Sequence, residues 1–157
     1  MINFESVLEQ IGIYRFVLIP ILSVFGCNML TSSFLYPVLF FMHQNGMNLF
    51  LLSGLTTIGA TTGDLLFLFF GKKINENSGR TNHRVTKFFR RNRDSRYIKF
   101  FIFFYAAFFP TSNEFMTLGF GYIDYPFRKT FLPLLLGNIF YFTIMIWLGG
   151  IFLGKIF

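Results

Sequence analysis

The sequence predicts an all-α, polytopic membrane protein, and three observations carry that expectation. First, the 157 residues are 54% hydrophobic and only 13% charged, with 26 Phe and a mean hydropathy of +0.55. A soluble domain of this size has too little interior to hide so much apolar surface, so the bilayer is the expected solvent. Second, ten of the fourteen Lys and Arg fall between Lys72 and Lys99, opposed only by Glu76 and Asp94. In an apolar chain such a cluster marks a loop on the cytoplasmic (or matrix) face. Third, two long apolar runs are interrupted midway by polar residues and proline, which a simple spanning helix does not need.

The length allows a single domain, residues 1–157, with four parts in order. Residues 1–26 form an N-terminal helix. It begins amphipathic, with Phe4, Val7, Leu8 and Ile11 opposite Glu5 and Glu9, and turns fully apolar after Arg15, with a bend expected at Pro20. It either crosses the bilayer or lies in the interface. The acidic start, without an early Lys or Arg, predicts no cleaved leader.

Residues 27–70 make a first repeat. The run CNMLTSSFLYPVLFFMHQNG is apolar but broken, and Met47–Phe70 is a 24-residue stretch whose only charge is Asp64, long enough to span. The basic loop, 71–99, follows. Within it Arg80, Arg84, Lys87 and Arg91 recur at helical spacing, with Val85, Phe88 and Phe89 as a small apolar side. That pattern predicts a cationic helix on the inner membrane surface, or else a solvated connector. No aromatic-basic interleaving marks it as a nucleic-acid interface, so no nucleic-acid partner is expected.

Residues 100–157 make a second repeat. Phe100–Ile123 is another 24-residue run, charged only at Glu114, and Thr130–Phe157 is a clean final span with Trp147 and Lys155. If 100–123 crossed fully, Arg128 and Lys129 would sit opposite the basic loop. If the chain enters, turns at Pro110–Glu114 and returns, twelve of the fourteen cations share one side. Charge placement therefore predicts a re-entrant hairpin, which is tolerated at membrane depth only against protein or a wet cavity.

A repeated signature agrees. Thr31-Ser32-Ser33 recurs as Thr111-Ser112-Asn113, each followed by a glycine-bearing exit (Gly46; Gly121) and a span with an interior glycine (Gly59; Gly137). A returning hairpin plus one crossing is an odd number of crossings, so the second copy is expected to be inverted. Paired interrupted segments in inverted repeats point to a transport site near the midplane.

Several residues are candidates for that site. Glu114, a carboxylate inside an apolar run, is expected either to carry a proton or to staple the hairpin by accepting backbone hydrogen bonds. Asp64, in a span made polar by Thr56, Thr57, Thr61 and Thr62, is a second proton-coupling candidate or else a headgroup-solvated end; Gly59 and Gly63 form a small-residue strip beside it. Ser32, Ser33, Thr111, Ser112 and Asn113 supply neutral donors at the two hairpin tips. Asn138 is placed to bond between helices or line a cavity. Arg128 and Lys129 either attract an anionic headgroup or snorkel to the interface.

A single Cys27 excludes an internal disulfide, and His43 and His83 stand without ligand-spaced partners. No metal, no cofactor, no nucleophile motif and no enzymatic activity are expected.

Three segments resemble the DedA/VTT-domain (SNARE-associated) family of membrane proteins. LFLLSGLTTIGATTGDLLFLFFGKKI is similar to its span ending in Gly-Asp, which places Gly63, Asp64 and Gly71. FFPTSNEFMTLGFGYIDYPFRKTF is similar to its second re-entrant loop, which places Pro110, Gly121, Pro126, Arg128 and Lys129. LPLLLGNIFYF is similar to its closing span, which places Gly137. The resemblance implies two inverted repeats, each a re-entrant hairpin plus a transmembrane helix. It also implies proton-dependent flipping of polyprenyl-phosphate carriers or scrambling of phospholipids.

Two departures bear on this. Ala107 and Asn113 stand where many members carry arginines around the proline, and TSSFLYP lacks the acid usual in the first loop. These argue against tight phosphate binding and favour either a scramblase with loose headgroup demands or a diverged member of the family. The expected partners are membrane lipids, together with further copies of the chain or other membrane subunits. The expected location is a bacterial cytoplasmic membrane or an organellar inner membrane. The alternative function is a non-transporting subunit that keeps the fold within a larger complex.

Overall fold

The computed structural model describes residues 14–26, 32–78, 87, 91, 95–109 and 113–153. Six helices and no strands occur among them: α1 (Arg15–Gly26), α2 (Ser32–Gln44), α3 (Leu49–Ser78), α4 (Arg96–Phe108), α5 (Asn113–Tyr122) and α6 (Phe127–Leu153). The regular structure of the described residues is all helical, as the sequence predicts. At about 1.5 Å per residue, α3 and α6 reach roughly 40–45 Å and exceed a hydrocarbon core of about 30 Å. Both are long and apolar enough to cross a membrane by length and composition. The other four, at 10 to 13 residues, are too short to cross.

The helices fall into two triplets of the same order, short, short, long. Each long helix is entered through a tight turn with a left-handed residue three positions ahead of it. Gly46 (φ 85°) precedes Leu49, and Asp124 (φ 55°) precedes Phe127. The turn equivalent to Gly46 is thus at Asp124, and Gly121 lies instead in the last turn of α5. Counted from Leu49 and Phe127, Gly59 and Gly137 are each the eleventh residue of their helix. Gly59 meets Pro20 and Ser23 of α1, and Gly137 meets Phe103 and Ala106 of α4. In both triplets the bare glycine lets the first short helix cross the long one backbone to backbone.

Contact registers fix the helix directions. Ser23 and Val24 advance along α1 as Gly59 and Gly63 advance along α3, so α1 and α3 run parallel. Phe103 and Phe108 of α4 both stack near Phe140 while Arg96 and Lys99 face Pro133 and Leu136, so α4 and α6 also run parallel. Gly71 and Gly121 meet each other's helices, and Lys72 reaches Asp124 at 3.3 Å, so α5 runs alongside α3 in the same direction. Phe69 beside Phe127 and Thr61 beside Asn138 make α3 and α6 antiparallel. α4 therefore runs away from the end of the molecule that carries Lys72, Arg96 and Arg128, and α5 runs back toward it. α1 runs away from the end that carries Gly46.

Two apolar clusters hold the triplets. Ile19, Leu35, Leu39, Leu52, Ala60, Phe142 and Ile146 form one, joining α1, α2, α3 and α6. Ile98, Ile102, Ala106, Met116, Phe120, Tyr125 and Leu134 form the other, joining α4, α5 and α6. Outside them the surface is strongly apolar, with Phe34, Phe50, Phe100, Phe108 and Phe115 each at least 60% exposed. Soluble monomers rarely show continuous apolar surface on that scale.

The helix α3 departs from the expected end of its span. It continues past Phe70 through Lys72, Lys73 and Glu76 to Ser78, so the basic loop begins two turns later than its composition indicated. Two contacts brace this extension, the packing of Gly71 on Leu118 and Tyr122 of α5 and the ion pair of Lys72 with Asp124 in the turn after it. Residues 1–13 and most of the proposed cationic surface helix lie outside the described residues; of it Lys87 and Arg91 are helical and exposed.

Candidate polar site at the broken helix

A polar stripe runs down the inner face of α3. Thr57, Thr61 and Asp64 recur at helical spacing and are 1%, 2% and 7% exposed. Such a stripe in a membrane-length helix requires partners, because unpaired polar groups are costly where water is scarce. Asn138, on the facing side of α6, supplies them. Its Nδ2 donates to Asp64 Oδ2 at 3.0 Å and to Thr61 Oγ1 at 3.1 Å. Its Oδ1 accepts from Asn113 Nδ2 at 3.0 Å. Asn113 is the first residue of α5, so the restart of the broken helix stands beside the Asp64–Asn138 pair.

The orientation of both amides follows from Asp64. A carboxyl oxygen accepts, so Asp64 Oδ2 holds the Asn138 NH2 toward α3 and leaves the Asn138 carbonyl for Asn113. Asn113 Oδ1 is then left buried without a hydrogen-bond partner among the described residues, as is Thr57 Oγ1. Thr117, fully buried one turn along, returns its hydroxyl to the carbonyls of Asn113 at 2.8 Å and Glu114 at 3.1 Å.

Glu114 takes a different place from the one its sequence context gives it. It is only half-buried in the first turn of α5, within electrostatic range of Asp64. Asp64 is the deeper carboxylate and the centre of the cluster. The structure thus brings together Asp64, Asn113 and Asn138, with Glu114 at the margin.

Other candidates lie elsewhere. Ser32 is buried at the start of α2 and Ser33 is exposed. Arg128 and Lys129 occupy the first turn of α6, about 14 Å along the axis from Asn138. Thr31, Pro110, Thr111 and Ser112 lie outside the described residues. Gly63, Gly121 and Gly137 are all helix crossings, packed on Val24, Leu68 and Ala106 respectively. Ala107, at one of the two arginine positions of the resembled family, is 4% exposed and set against Gly137, and Asn113, at the other, is spent on Asn138.

Thr61 and Thr117 were not singled out as site residues by the sequence. The spacing of Thr61 three residues before Asp64 places both on one face and is the signal that could have found it. Among the described residues no group of three His, Cys, Asp or Glu is placed to hold a metal ion. No known family model, characterised protein or solved structure matches the chain.

Proposed function

We propose that the protein is a polytopic membrane protein of two inverted halves that moves a lipid headgroup between leaflets. In this reading α1–α2 and α4–α5 are re-entrant hairpins dipping in from opposite faces, and α3 and α6 are the crossings. The basic end, with Lys72, Arg96, Lys99, Arg128 and Lys129, is the cytoplasmic (or matrix) face. The headgroup passes the polar cluster while the acyl chains stay in the surrounding lipid.

The observation that carries this reading is the buried Asp64–Asn138–Asn113 network at the restart of a broken helix. Polar residues at this depth mark substrate or ion paths in membrane proteins, and half-helix ends at mid-depth are the usual place for them. The cluster holds carboxylates and neutral amides but no cation, with Ala107 and Asn113 where the resembled family has arginines. That favours a phospholipid over a polyprenyl phosphate, whose exposed charge needs a cationic partner.

One feature favours a second reading. Asn138 spends three hydrogen bonds on the cluster, which is what a purely structural clamp in a non-transporting subunit would do. A reconstitution experiment separates the two. Vesicles carrying the purified chain and a fluorescent phospholipid are treated with an impermeant quencher. Transport predicts quenching of inner-leaflet lipid by the wild type and its loss in the folded variant Asp64→Asn. A structural clamp predicts no lipid movement by either protein.

A further inference from the structure

The α4–α6 seam is open toward the lipid at the basic end. It forms a groove of about 360 Å³ lined by Arg96, Lys99, Phe100, Phe103, Pro133 and Leu136. The wall is apolar along Phe100, Phe103, Pro133 and Leu136, and no acidic residue lines it. Pro133 and Leu136 lie on one side, the two Phe on the other, and the aliphatic stems of Arg96 and Lys99 complete the lining. Arg96 and Lys99 are exposed and carry no ion pair among the described residues. Both belong to the first turn of α4, where the helix dipole is positive and where Ser95 makes no side-chain cap hydrogen bond.

The geometry points to a resident site for one anionic phospholipid of the leaflet at the basic end. Its phosphate sits on Arg96 and Lys99 at the positive end of α4, and one acyl chain lies in the apolar trough. Charge complementarity selects this occupant. A zwitterionic lipid gains the same trough but meets two cations with no net charge of its own, and an uncharged chain leaves both cations unpaired at the membrane surface. The site is on the outer face of α4, away from Asp64, and its lipid is bound rather than moved. The inference rests on the membrane reading of the protein and not on lipid movement.

The test uses the full chain reconstituted in phosphatidylcholine vesicles with spin-labelled phosphatidylglycerol or spin-labelled phosphatidylcholine. The motionally restricted fraction of each label is read by electron paramagnetic resonance. The wild type is expected to prefer the anionic label by about five-fold or more, the scale set by a single cation near a membrane surface and exceeded when both act. The double variant Arg96→Gln/Lys99→Gln brings the preference close to that of bulk lipid. Lys73→Gln/Lys87→Gln, which removes the same charge at exposed positions of the basic segment, leaves it unchanged. Leu136→Trp, at a half-exposed position, fills the trough and abolishes the preference with both cations intact.

Three results would overturn the site: no preference in the wild type, an equal loss in both double variants, or full preference in Leu136→Trp. Lipid movement without anionic preference would remove this site and leave the transport reading standing. Preference without movement would do the reverse.

Discussion

The two helix triplets share a plan but differ in what they place at their contact with the other half. Where α5 meets α3 and α6, the contact is polar: Asp64, Asn113, Asn138 and Thr61 join in one network. Where α2 meets α6 and α3, the same arrangement is apolar and aromatic. Counting from the start of each long helix, the position of Asp64 is taken by Phe142 and that of Asn138 by Ala60, both buried in the first cluster. A polar link there joins Tyr36 to Tyr141, hydroxyl to hydroxyl at 3.1 Å. The scaffold sets where helices cross and break, and side chains at equivalent points set which crossing carries polar load. The chain has concentrated that load on one side, and the functional reading follows it there.

The difference also extends to how tightly each contact is closed, and it can be broken experimentally. At Gly121 an added methyl meets the backbone of Leu68 and Lys72, which cannot rotate away. Gly121→Ala is expected to have the largest effect, about 3 kcal/mol lost in denaturation measured in detergent. At Gly149, on the α2–α6 side, the added methyl meets only the ring of Phe40. Gly149→Ala is expected to cost about 1 kcal/mol, because that ring can turn. An equal cost for the two glycines would show that both contacts are closed alike.

Within the polar network, Asn138→Leu removes three hydrogen bonds and strands Asp64 and Asn113. The expected loss is about 2 kcal/mol in the same denaturation assay, with lipid movement abolished. Tyr36→Phe, its counterpart on the apolar side, is expected to cost about 0.5 kcal/mol and to leave lipid movement intact. Smallest is Lys72→Gln. Its ion pair with Asp124 is 49% and 39% exposed, so screening leaves a few tenths of a kcal/mol at most. That small cost should shrink further in high salt.

Much of this was legible before the structure. The polar interruption after Phe109 predicted that no single helix runs through 100–123, and α4 ends at Phe108 with α5 beginning at Asn113. Gly59 and Gly137 were paired by the repeat, and both fall at equivalent crossings. Charge counting brought Arg128 and Lys129 to the end where Lys72 and Arg96 stand. The ranking of the carboxylates was not legible. Glu114 looked isolated because it is the only charge between Phe100 and Ile123, but its burial depends on which face of α5 meets α3. Asp64 looked near a helix end because Lys72 and Lys73 follow it, yet α3 continues past both. The Asn113–Asn138 bond joins residues 25 positions apart across a turn, and no spacing rule finds such a pair.

The account depends most on the direction of the broken helices. Single cysteines at Asn45, Tyr97 and Arg128, in a chain with Cys27 replaced by Ser, can be labelled with an impermeant thiol reagent in oriented membrane vesicles. All three positions are exposed. The account predicts that Tyr97→Cys and Arg128→Cys react from one face and Asn45→Cys from the other. Reaction of Tyr97→Cys and Arg128→Cys from opposite faces would make 96–122 a full crossing and contradict it.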